Sequence, residues 1–504
     1  MDQLTRLSRR EFIKLMTLAP AALVFSETIM PSPLAATSPN IVVMVCDAMS
    51  ADNLSLYGYP RRTTPNFERL AQRSIVYHSH YSAGSFTTPG TASLLTGLYP
   101  WTHRALSFNG QVAPAFAGRN IFALLGNSYD RVGFGQNLLA EFLLSEFRSS
   151  LDVHMSPASF SVREQLLGTL FKNDTPASYY AFDDFFFRPS DIPRSLIFGM
   201  LEQALFGFRL ESISTVGYSN GIPRTNNKIY YRLEDIFRGL ASQVQLFRRP
   251  FFAYFHLWSP HAPYLPSKEF ENAFRNDHWS PPTKPKHRLG QQLTFAQMQL
   301  QRQKYDAYVA NVDSEFGKFL DELEASGELD RTCFILTSDH GEMFERGVVG
   351  HETPLLYDPI LHVPLVISMP GQRDRKDIYS QTNSVDVLPT LLKIGGRDIP
   401  AWAEGQLLPA LGGVEDNSRA TFSLDAKKGS SFGRLSIASV AMRKEGYKLI
   451  YYKGYTKSDW FELYNLEKDP EEMVDLFDQE TSVANTMKNE LLTAFDQHSG
   501  PLTS

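Results

Sequence analysis

The chain has 504 residues, of which 43% are hydrophobic and 21% charged, and its net charge is -6 at pH 7. This length predicts a large globular protein rather than one small core. The acidic balance argues against non-specific nucleic-acid binding, which needs clustered lysines and arginines, so we expect no nucleic-acid partner. The two cysteines, Cys46 and Cys333, lie in apolar β-rich runs, which favours buried thiols, with a single disulfide as the alternative.

The first 36 residues have the layout of an export signal. Arg9 and Arg10 precede an apolar run at residues 15–25, and small residues follow that run. This layout is similar to a twin-arginine signal peptide, and the alternative is the basic start of a helix. We therefore predict a signal peptide at residues 1–36, recognition by the twin-arginine export machinery, and a periplasmic or extracellular location in a bacterium.

After this leader, apolar runs of two kinds alternate along the chain. Continuous β-branched runs predict strands that are buried on both faces, and apolar spacings of three and four predict amphipathic helices. The strands are predicted at residues 40–46, 250–258, 333–337 and 362–367. The helices are predicted from Pro65, at residues 305–323 and at residues 385–392. The alternation predicts an α/β domain over residues 40–410, with a mostly parallel sheet flanked by helices.

Two regions depart from this alternation. Residues of about 140–249 are rich in aromatic side chains, and we predict a helical insertion whose apolar face packs on the main domain. The alternative is a lid, or a surface that meets a lipid-like or aromatic substrate. Residues 411–504 combine short strand patterns with a final helical pattern at 481–495, which predicts a small C-terminal antiparallel α+β subdomain.

Residues 85–97 organise the predicted site. Pro89 suits the first turn of a helix, and Gly97 is suited to ending it. Thr87 therefore lies where unpaired N–H groups and the positive end of the helix dipole attract an anion, and its hydroxyl is the candidate nucleophile. The alternative is that Thr87 or Thr88 only caps the helix.

Acidic residues and an imidazole follow two of the predicted strands. Asp47 comes directly after the strand at 40–46, and Asp339 and His340 come just after the strand at 333–337. The carboxyl ends of neighbouring parallel strands meet at one edge of a sheet, where α/β proteins gather their chemistry. We therefore expect these three side chains to lie close together.

Residues 87–97 resemble the active-site signature of the sulfatase branch of the alkaline-phosphatase superfamily. In that signature a Cys or Ser, one spacer, Pro, Ser and Arg are followed by a short helix that ends in Thr-Gly. Four positions match, namely Pro89, Leu95, Thr96 and Gly97. Thr87 stands at the nucleophile position and Thr91 at the arginine position, and the helix–strand–Asp-His order further along the chain also matches. The resemblance implies an alkaline-phosphatase-like fold and a hydrolase of phosphoric or sulfuric esters.

A metal ion follows from the chemistry that Thr87 would need. A threonine hydroxyl is a weak nucleophile near neutral pH, and a bound divalent cation lowers the pKa of a hydroxyl as it does that of water. The predicted ligands of one divalent metal ion are Asp47, Thr87, Asp339 and His340. Mixed oxygen and nitrogen donors favour Zn or Mn, with Ca or Mg as alternatives. Ala48 stands where the family often has a second acid, which also disfavours Ca.

Two loop histidines complete the predicted catalytic set. His261 follows the strand at 250–258, where the family places a histidine near the substrate oxyanion, and His351 lies in the loop after the Asp-His pair. Either imidazole could bind that oxyanion or protonate the leaving group, and the alternative is a pair of hydrogen-bonded loop histidines. His256 lies inside the strand and is interpreted as a core or hydrogen-bonded histidine.

Thr87 also bears on the substrate. The family's true sulfatases convert their Cys or Ser to formylglycine, and threonine has no such route, whereas related threonine members act on phosphorus through a phospho-threonine. We predict an exported metal-dependent hydrolase of phosphate, phosphonate or sulfate esters that forms a covalent intermediate on Thr87. Its substrate would be a small-molecule, glycan or lipid ester. The alternatives are a phosphoethanolamine-type transferase acting on envelope glycan or lipid, and a silent binding protein, since Thr91 removes the signature cation.

Overall fold

The structure is a computed structural model that describes residues 38–501, except 109, 163–211, 215, 227–228 and 430–431. The predicted signal peptide lies outside the described residues, and so do residues 163–211 of the predicted insertion. Within the described part of the chain, no helix has both the length and the apolar character needed to cross a membrane.

Strands and helices alternate through the first three quarters of the chain, as predicted. The strands are β1 (Asn40–Cys46), β2 (Ile75–Tyr77), β3 (His80–Tyr81), β4 (Asp130–Gly135), β5 (Val153–Met155), β6 (Phe251–Leu257), β7 (Thr332–Thr337), β8 (Leu365–Ser368), β9 (Lys376–Ile378), β10 (Thr382–Asn383), β11 (Thr421–Asp425), β12 (Ala438–Lys444), β13 (Tyr447–Lys453) and β14 (Trp460–Asn465). The α-helices are α1 (Pro65–Ala71), α2 (Thr87–Thr96), α3 (Pro100–His103), α4 (Ile121–Leu125), α5 (Leu138–Glu146), α6 (Leu233–Val244), α7 (Phe295–Ala325), α8 (Asp358–Leu361), α9 (Val387–Ile394) and α10 (Thr481–His498).

The central sheet has eight strands in the order β5-β4-β6-β1-β7-β8-β2-β9. The strands from β5 to β7 are mutually parallel, and β2 also pairs with β9 in parallel. Strand β8 is antiparallel to both of its neighbours, β7 and β2. The predicted mixed, mostly parallel sheet is therefore confirmed.

Strand β1 shows why this sheet is buried on both faces. Its side chains alternate between two apolar clusters, with Val42 and Met44 in one and Ile41, Val43 and Val45 in the other. Helix α7 contributes to the first cluster, and helices α2 and α9 contribute to the second. Burying one such side chain fully stabilises the fold by about 1.5–3 kcal/mol, so the continuous apolar run fixes β1 at the centre of three layers.

The two cysteines lie in different apolar clusters. Cys46 ends β1 within the cluster covered by α7, whereas Cys333 lies in β7 within the cluster covered by α2. Both are buried free thiols, as favoured by the sequence. Burial raises the pKa of Cys333 to about 12, so this thiol stays protonated and unreactive near neutral pH.

Helix α7 begins ten residues earlier than its apolar pattern indicates. The predicted helix covers residues 305–323, whereas the structure has a helix at Phe295–Ala325. A capping box formed by Thr294 and Gln297 starts the helix. Its first turns carry mostly polar side chains, so they give little apolar periodicity, and the cap alone marks where the helix begins.

The C-terminal region forms an antiparallel sheet of four strands in the order β11-β12-β13-β14. Helix α10 packs on this sheet through Leu491 and Phe495, in one cluster with Val440 and Leu449. The predicted small antiparallel α+β unit is therefore confirmed as an architecture.

Strand β11, at the edge of the C-terminal sheet, contacts the loop that precedes α2. Leu424 N donates to the carbonyl oxygen of Ala83 at 2.8 Å, and the Ser423 hydroxyl donates to the carbonyl oxygen of Ser82 at 2.6 Å. The next residue of β11, Asp425, accepts a hydrogen bond from the Ser85 hydroxyl at 2.7 Å. The C-terminal sheet thus holds the segment that leads into residues 87–97.

Acid should destabilise the fold through His103, which is fully buried. Burial lowers the pKa of its imidazole from 6.5 to about 3, so the folded state excludes the protonated form. The contribution of neutral His103 to the free energy of unfolding is fully present above pH 6.5 and is lost as the pH falls toward 3. Between pH 6.5 and pH 5 the loss is about 1.6 kcal/mol. Urea denaturation at both pH values should show a smaller pH dependence for His103→Gln than for the parent protein. The exposed His278, changed to Asn, is the control, and equal pH dependence in all three proteins would contradict the prediction.

Candidate active site

The site forms where four neighbouring strands of the central sheet end. Asp47 directly follows β1, Asp339 follows β7 after one residue, His256 lies one residue before the end of β6, and Asn137 follows β4 after one residue. The order β4-β6-β1-β7 makes these strands adjacent and parallel, so their carboxyl ends lie along one edge. Open α/β sheets place their chemistry at this edge.

Thr87 is the first residue of α2, and its side chain is buried. Phe86 occupies the N-cap position in an extended conformation, and no side chain caps the helix. The Thr87 hydroxyl oxygen instead accepts a hydrogen bond from Asn137 Nδ2 at 3.1 Å and lies 3.4 Å from His340 Nε2. The capping alternative is therefore not observed, because this hydroxyl faces the strand ends rather than the helix backbone.

Gly90 allows α2 to approach the loop after β7 closely. A Cβ atom at this position would lie 2.2 Å from the carbonyl oxygen of Asp339, well inside contact distance. The absence of a side chain at Gly90 therefore lets the first turn of α2 press against the residues that carry the Asp-His pair.

Asp47, Asp339 and His340 could together hold a metal ion, since one ligand atom from each lies within 4.8 Å of the others. His340 Nε2 is 3.4 Å from Asp47 Oδ1 and 3.6 Å from Asp339 Oδ2. Ligands around a tetrahedral ion with bonds of about 2.1 Å lie roughly 3.4 Å apart, so the spacing fits one small ion. Asp47 Oδ1 and Asp339 Oδ2 are also buried without a hydrogen-bond partner, a state that a bound cation relieves.

The two buried carboxylates of this cluster depend on neighbouring positive charge for their ionisation. Burial and the neighbouring charge of Asp47 raise the pKa of Asp339. Burial also opposes ionisation of Asp47, but the imidazoles of His261, His256 and His340 hold its pKa well below the ordinary range. Although burial disfavours the imidazolium form of His340, Asp339 and Asp47 raise its pKa to about 9. Two buried carboxylates thus compete for cationic partners, which favours a divalent ion.

His256 belongs to this cluster, although the sequence indicated only a core or hydrogen-bonded residue. It is fully buried, and its Nδ1 pairs with the Tyr254 hydroxyl at 2.9 Å. Its Nε2 lies 3.3 Å from Asp47 Oδ2 and 3.6 Å from Asp339 Oδ2. The histidine is inside the strand rather than after it, so the rule that located the strand-end residues did not select it.

Asn137 was not identified from the sequence. Its side-chain NH2 group donates to Asp47 Oδ2 and to the Thr87 hydroxyl, and its Oδ1 caps α5 by accepting from Leu139 N at 2.8 Å. One side chain thus joins the candidate nucleophile to a candidate metal ligand. The available signal was an asparagine between a strand and the helix that begins at the next residue, which is also the ordinary signal of an N-cap.

The two predicted catalytic histidines lie beside the cluster. The His351 ring is 4.2 Å from the His340 ring and 4.9 Å from the His261 ring, centroid to centroid. Burial, together with the charges of His340 and His261, lowers the pKa of His351, and its Nδ1 pairs with Glu342 at 3.0 Å. His261 is half-buried and donates from Nδ1 to the carbonyl oxygen of Ala262 at 2.7 Å. With its Nδ1 paired to Glu342, His351 has only its other ring nitrogen left to meet a substrate.

Asn137→Ala should lower kcat by about 10- to 100-fold, because a hydrogen bond to a charged group contributes about 1.5–3 kcal/mol. Removing its cap should also lower the free energy of unfolding by about 1 kcal/mol. Asn120→Ala is the matched control, because Asn120 caps α4 in the same way by accepting from Ala123 N. Steady-state kinetics and urea denaturation of both variants separate the two effects. Equal kcat values for the two variants would show that Asn137 acts only as a cap.

The geometry defines a class of protein, namely an α/β protein with a helix-borne hydroxyl that faces an acidic and histidine cluster at the edge of a mostly parallel sheet. Comparison with known families agrees with this class. The Sulfatase family model matches residues 39–396, and the model of the N-sulphoglucosamine sulphohydrolase C-terminal region matches residues 351–497. The first match spans more than half of the chain, so this protein belongs to the sulfatase family.

Individual relatives support the same assignment. The arylsulfatase of Clostridium perfringens is 23% identical over 474 residues, covering 88% of this chain and 91% of that protein. The choline-sulfatase of Rhizobium meliloti is 22% identical over 460 residues, covering 87% of this chain and 82% of that protein. The crystal structure of the phosphonate monoester hydrolase of Agrobacterium radiobacter superposes with a TM-score of 0.65 at 19% identity, covering 91% of this chain and 96% of that one. The alkaline-phosphatase-like fold is confirmed, and the chain is an ester hydrolase.

Proposed function

We propose that this protein is an exported, metal-dependent hydrolase that cleaves phosphate, phosphonate or sulfate esters through a covalent intermediate on Thr87. The observation that carries the proposal is the position of the Thr87 hydroxyl, 3.4 Å from His340 Nε2 and hydrogen-bonded to Asn137. A buried hydroxyl at a helix N-terminus, facing two carboxylates that each have one oxygen without a hydrogen-bond partner, has the surroundings that an activated nucleophile needs.

A single divalent ion, with Zn or Mn favoured, would be held by Asp47, Asp339 and His340, with the Thr87 hydroxyl facing it. The donor set of two carboxylates and one imidazole suits these ions. When bound, such an ion supplies positive charge that lowers the pKa of the hydroxyl and offsets charge on the substrate oxygens. Asn137 holds the Thr87 oxygen in place, and α2 directs its free N–H groups toward the same region.

The chain's own groups account for both steps of the reaction. The Thr87 hydroxyl first gives its proton to solvent, and its alkoxide oxygen then forms a bond to phosphorus or sulfur as the bond to the leaving oxygen breaks. The leaving oxygen takes a proton from protonated His261. In the second step, water attacks the Thr87 adduct, His261 takes a proton from the water, and the Thr87 oxygen leaves again as the alkoxide. His351, fixed by Glu342, accepts a hydrogen bond from the substrate rather than donating a proton. The first step therefore moves one proton from His261 to the leaving group, and the second returns one proton from water to His261.

The substrate class follows from the chemistry at Thr87. Threonine lacks the route to formylglycine that the family's true sulfatases use, so phosphorus esters are favoured over sulfate esters. The structural neighbour that acts on phosphonate monoesters supports the view that this fold accommodates phosphorus chemistry. The export proposal is based on the signal pattern in residues 1–36, and the proposed domains are a catalytic domain at 40–410 and a C-terminal subdomain at 411–504.

A panel of 4-nitrophenyl esters, assayed with Zn or Mn, tests this function. The panel contains the phosphate, a phosphodiester, the phenylphosphonate and the sulfate. Release of nitrophenol is expected, with at least one phosphorus ester cleaved faster than the sulfate. Added glycerol should leave the yield of free phosphate or phosphonate unchanged, whereas a transferase would divert the group to the alcohol. The absence of turnover on every ester, in protein that contains the metal, would contradict the proposal and favour a binding protein.

A further inference from the structure

A lysine and two aromatic rings form a wall beside the candidate nucleophile. Lys427 follows β11 after one residue, and its ammonium nitrogen lies 4.8 Å from the ring centroid of Phe86 and 6.0 Å from that of Phe108. Phe86 directly precedes Thr87 and is buried, whereas Phe108 is 42% exposed. The two rings lie 5.2 Å apart, centroid to centroid. We call Lys427, Phe86 and Phe108 the Lys427 wall.

The Lys427 ammonium has three acceptors for its three N–H groups, and two of these bonds are weak. Its Nζ donates to the carbonyl oxygens of His351 and Thr353, and both distances are 3.4 Å, which is long for a hydrogen bond. It also lies 3.0 Å from Asp425 Oδ2, an oxygen that already accepts from the Ser85 hydroxyl at 2.7 Å. The lysine side chain keeps 11% of its surface exposed. Such an ammonium can exchange its two long carbonyl bonds for a shorter one to an incoming anion, which its partial exposure admits.

The position of Lys427 relates it to the leaving group. The chain segments that carry Thr87 and His351 both contact this lysine, through Phe86 on one side and a backbone carbonyl on the other. The half-exposed ring of Phe108 offers an apolar surface directly beside that charge. A ring that lies on Phe108 would therefore place its substituents within reach of the ammonium.

We propose that the Lys427 wall is a subsite for an anionic substituent on the leaving group, such as a carboxylate, sulfate or phosphate other than the one being cleaved. The ring of an aryl or sugar leaving group lies on Phe108, and its anionic substituent binds the Lys427 ammonium. This inference depends on the proposed function, because it specifies the substrate of the same site. A charge-assisted hydrogen bond in a partly buried place should favour the anionic substrate by about 10- to 100-fold.

A purely structural lysine would behave differently. If Lys427 only holds Asp425 and the loop of His351, its removal should weaken turnover of every ester by the same factor. A subsite instead changes the preference between two substrates that differ by one charge. The informative quantity is therefore the ratio of kcat/KM for an anionic ester to kcat/KM for its neutral counterpart.

The experiment compares 3-carboxy-4-nitrophenyl and 4-nitrophenyl esters of the fastest group in the panel, in the metal-containing enzyme. We expect Lys427→Met to lower the ratio by about 10- to 100-fold relative to the parent protein, and Lys427→Arg to restore most of it. Lys428→Met is the matched control, because this neighbouring lysine is exposed and the same charge is removed. Comparing ratios cancels the difference in leaving-group reactivity and any general loss of activity.

A second measurement makes the inference independent of turnover. The two free nitrophenols, with and without the carboxylate, are titrated against each protein, and binding is followed by absorbance. A preference for the carboxylated phenol that Lys427→Met removes and Lys428→Met retains supports the subsite, even if no ester is cleaved and the hydrolase proposal fails. Equal ratios for the parent protein and Lys427→Met, in both turnover and binding, would overturn the inference.

Discussion

Replacing Thr87 with alanine is expected to reduce kcat by at least ~10³-fold, because the variant loses the oxygen that forms the intermediate. Residual turnover would come from the metal, the helix N-terminus and binding alone. The Thr87 hydroxyl is buried against Asn137 and His340, so no other hydroxyl occupies its place in this arrangement. Thr87→Ser keeps the oxygen and should retain activity within about tenfold of the parent protein.

Thr88 provides the matched control for this experiment. It is the next residue, equally buried, and its hydroxyl has no hydrogen-bond partner. Thr88→Ala thus removes a similar volume from the same turn of α2 without touching the proposed nucleophile, and it should keep most of the activity. Intact-mass analysis of acid-quenched reactions should show a phosphoryl, phosphonyl or sulfuryl adduct in the parent protein and in Thr88→Ala. An adduct of the same size in Thr87→Ala would place the covalent step elsewhere.

Removing the metal is expected to have the second largest effect. Protein treated with a chelator and then freed of it should lose turnover and should regain it when Zn or Mn is added. Elemental analysis should find one ion per chain. Since the ion binds only the folded cluster, its addition at 100 times its dissociation constant should raise the free energy of unfolding by about 2.7 kcal/mol.

Asp339→Asn tests the ligands rather than the metal. Losing one carboxylate charge should weaken metal binding and reduce turnover, because Asp339 Oδ2, like Asp47 Oδ1 in the same cluster, is buried without a hydrogen-bond partner. Asp377→Asn is the control, because Asp377 also pairs with an imidazole, that of His78, but outside the cluster. Full turnover in protein shown to be free of metal, or normal metal content in Asp339→Asn, would contradict the proposed centre.

Much of the architecture could be predicted from residue patterns, because burial strongly restricts which residue types occur along a strand or helix. The run in β1 is apolar at every position from Ile41 to Cys46, and only a strand between two covering layers requires this. Asp47 and Asp339 were located by the same reasoning, since each interrupts such a run where a parallel strand ends. The direction of β8 was not accessible, because a short apolar run looks the same whether its neighbours are parallel or antiparallel.

Asn137 and His256 show where such reasoning stops. Asn137 plays two roles at once, and the commoner one, capping α5, explains its presence without any reference to Thr87. His256 is separated from Asp47 by more than two hundred residues, and only the pairing of β6 with β1 brings them together. The chemistry of both residues depends on which strands are neighbours, and that order is a property of the whole sheet rather than of any local pattern.

The hydrogen bonds between β11 and residues 82–85 have a consequence for the order in which this enzyme is synthesised and folds. Ser82, Ala83 and Ser85 all bond to β11, a strand synthesised more than three hundred residues after them. When the ribosome has completed the strands of the central sheet, it has therefore not yet made β11, which holds the segment that leads to Thr87. The nascent polypeptide should therefore stay inactive until β11, which begins about the last sixth of the chain, has been made and has folded.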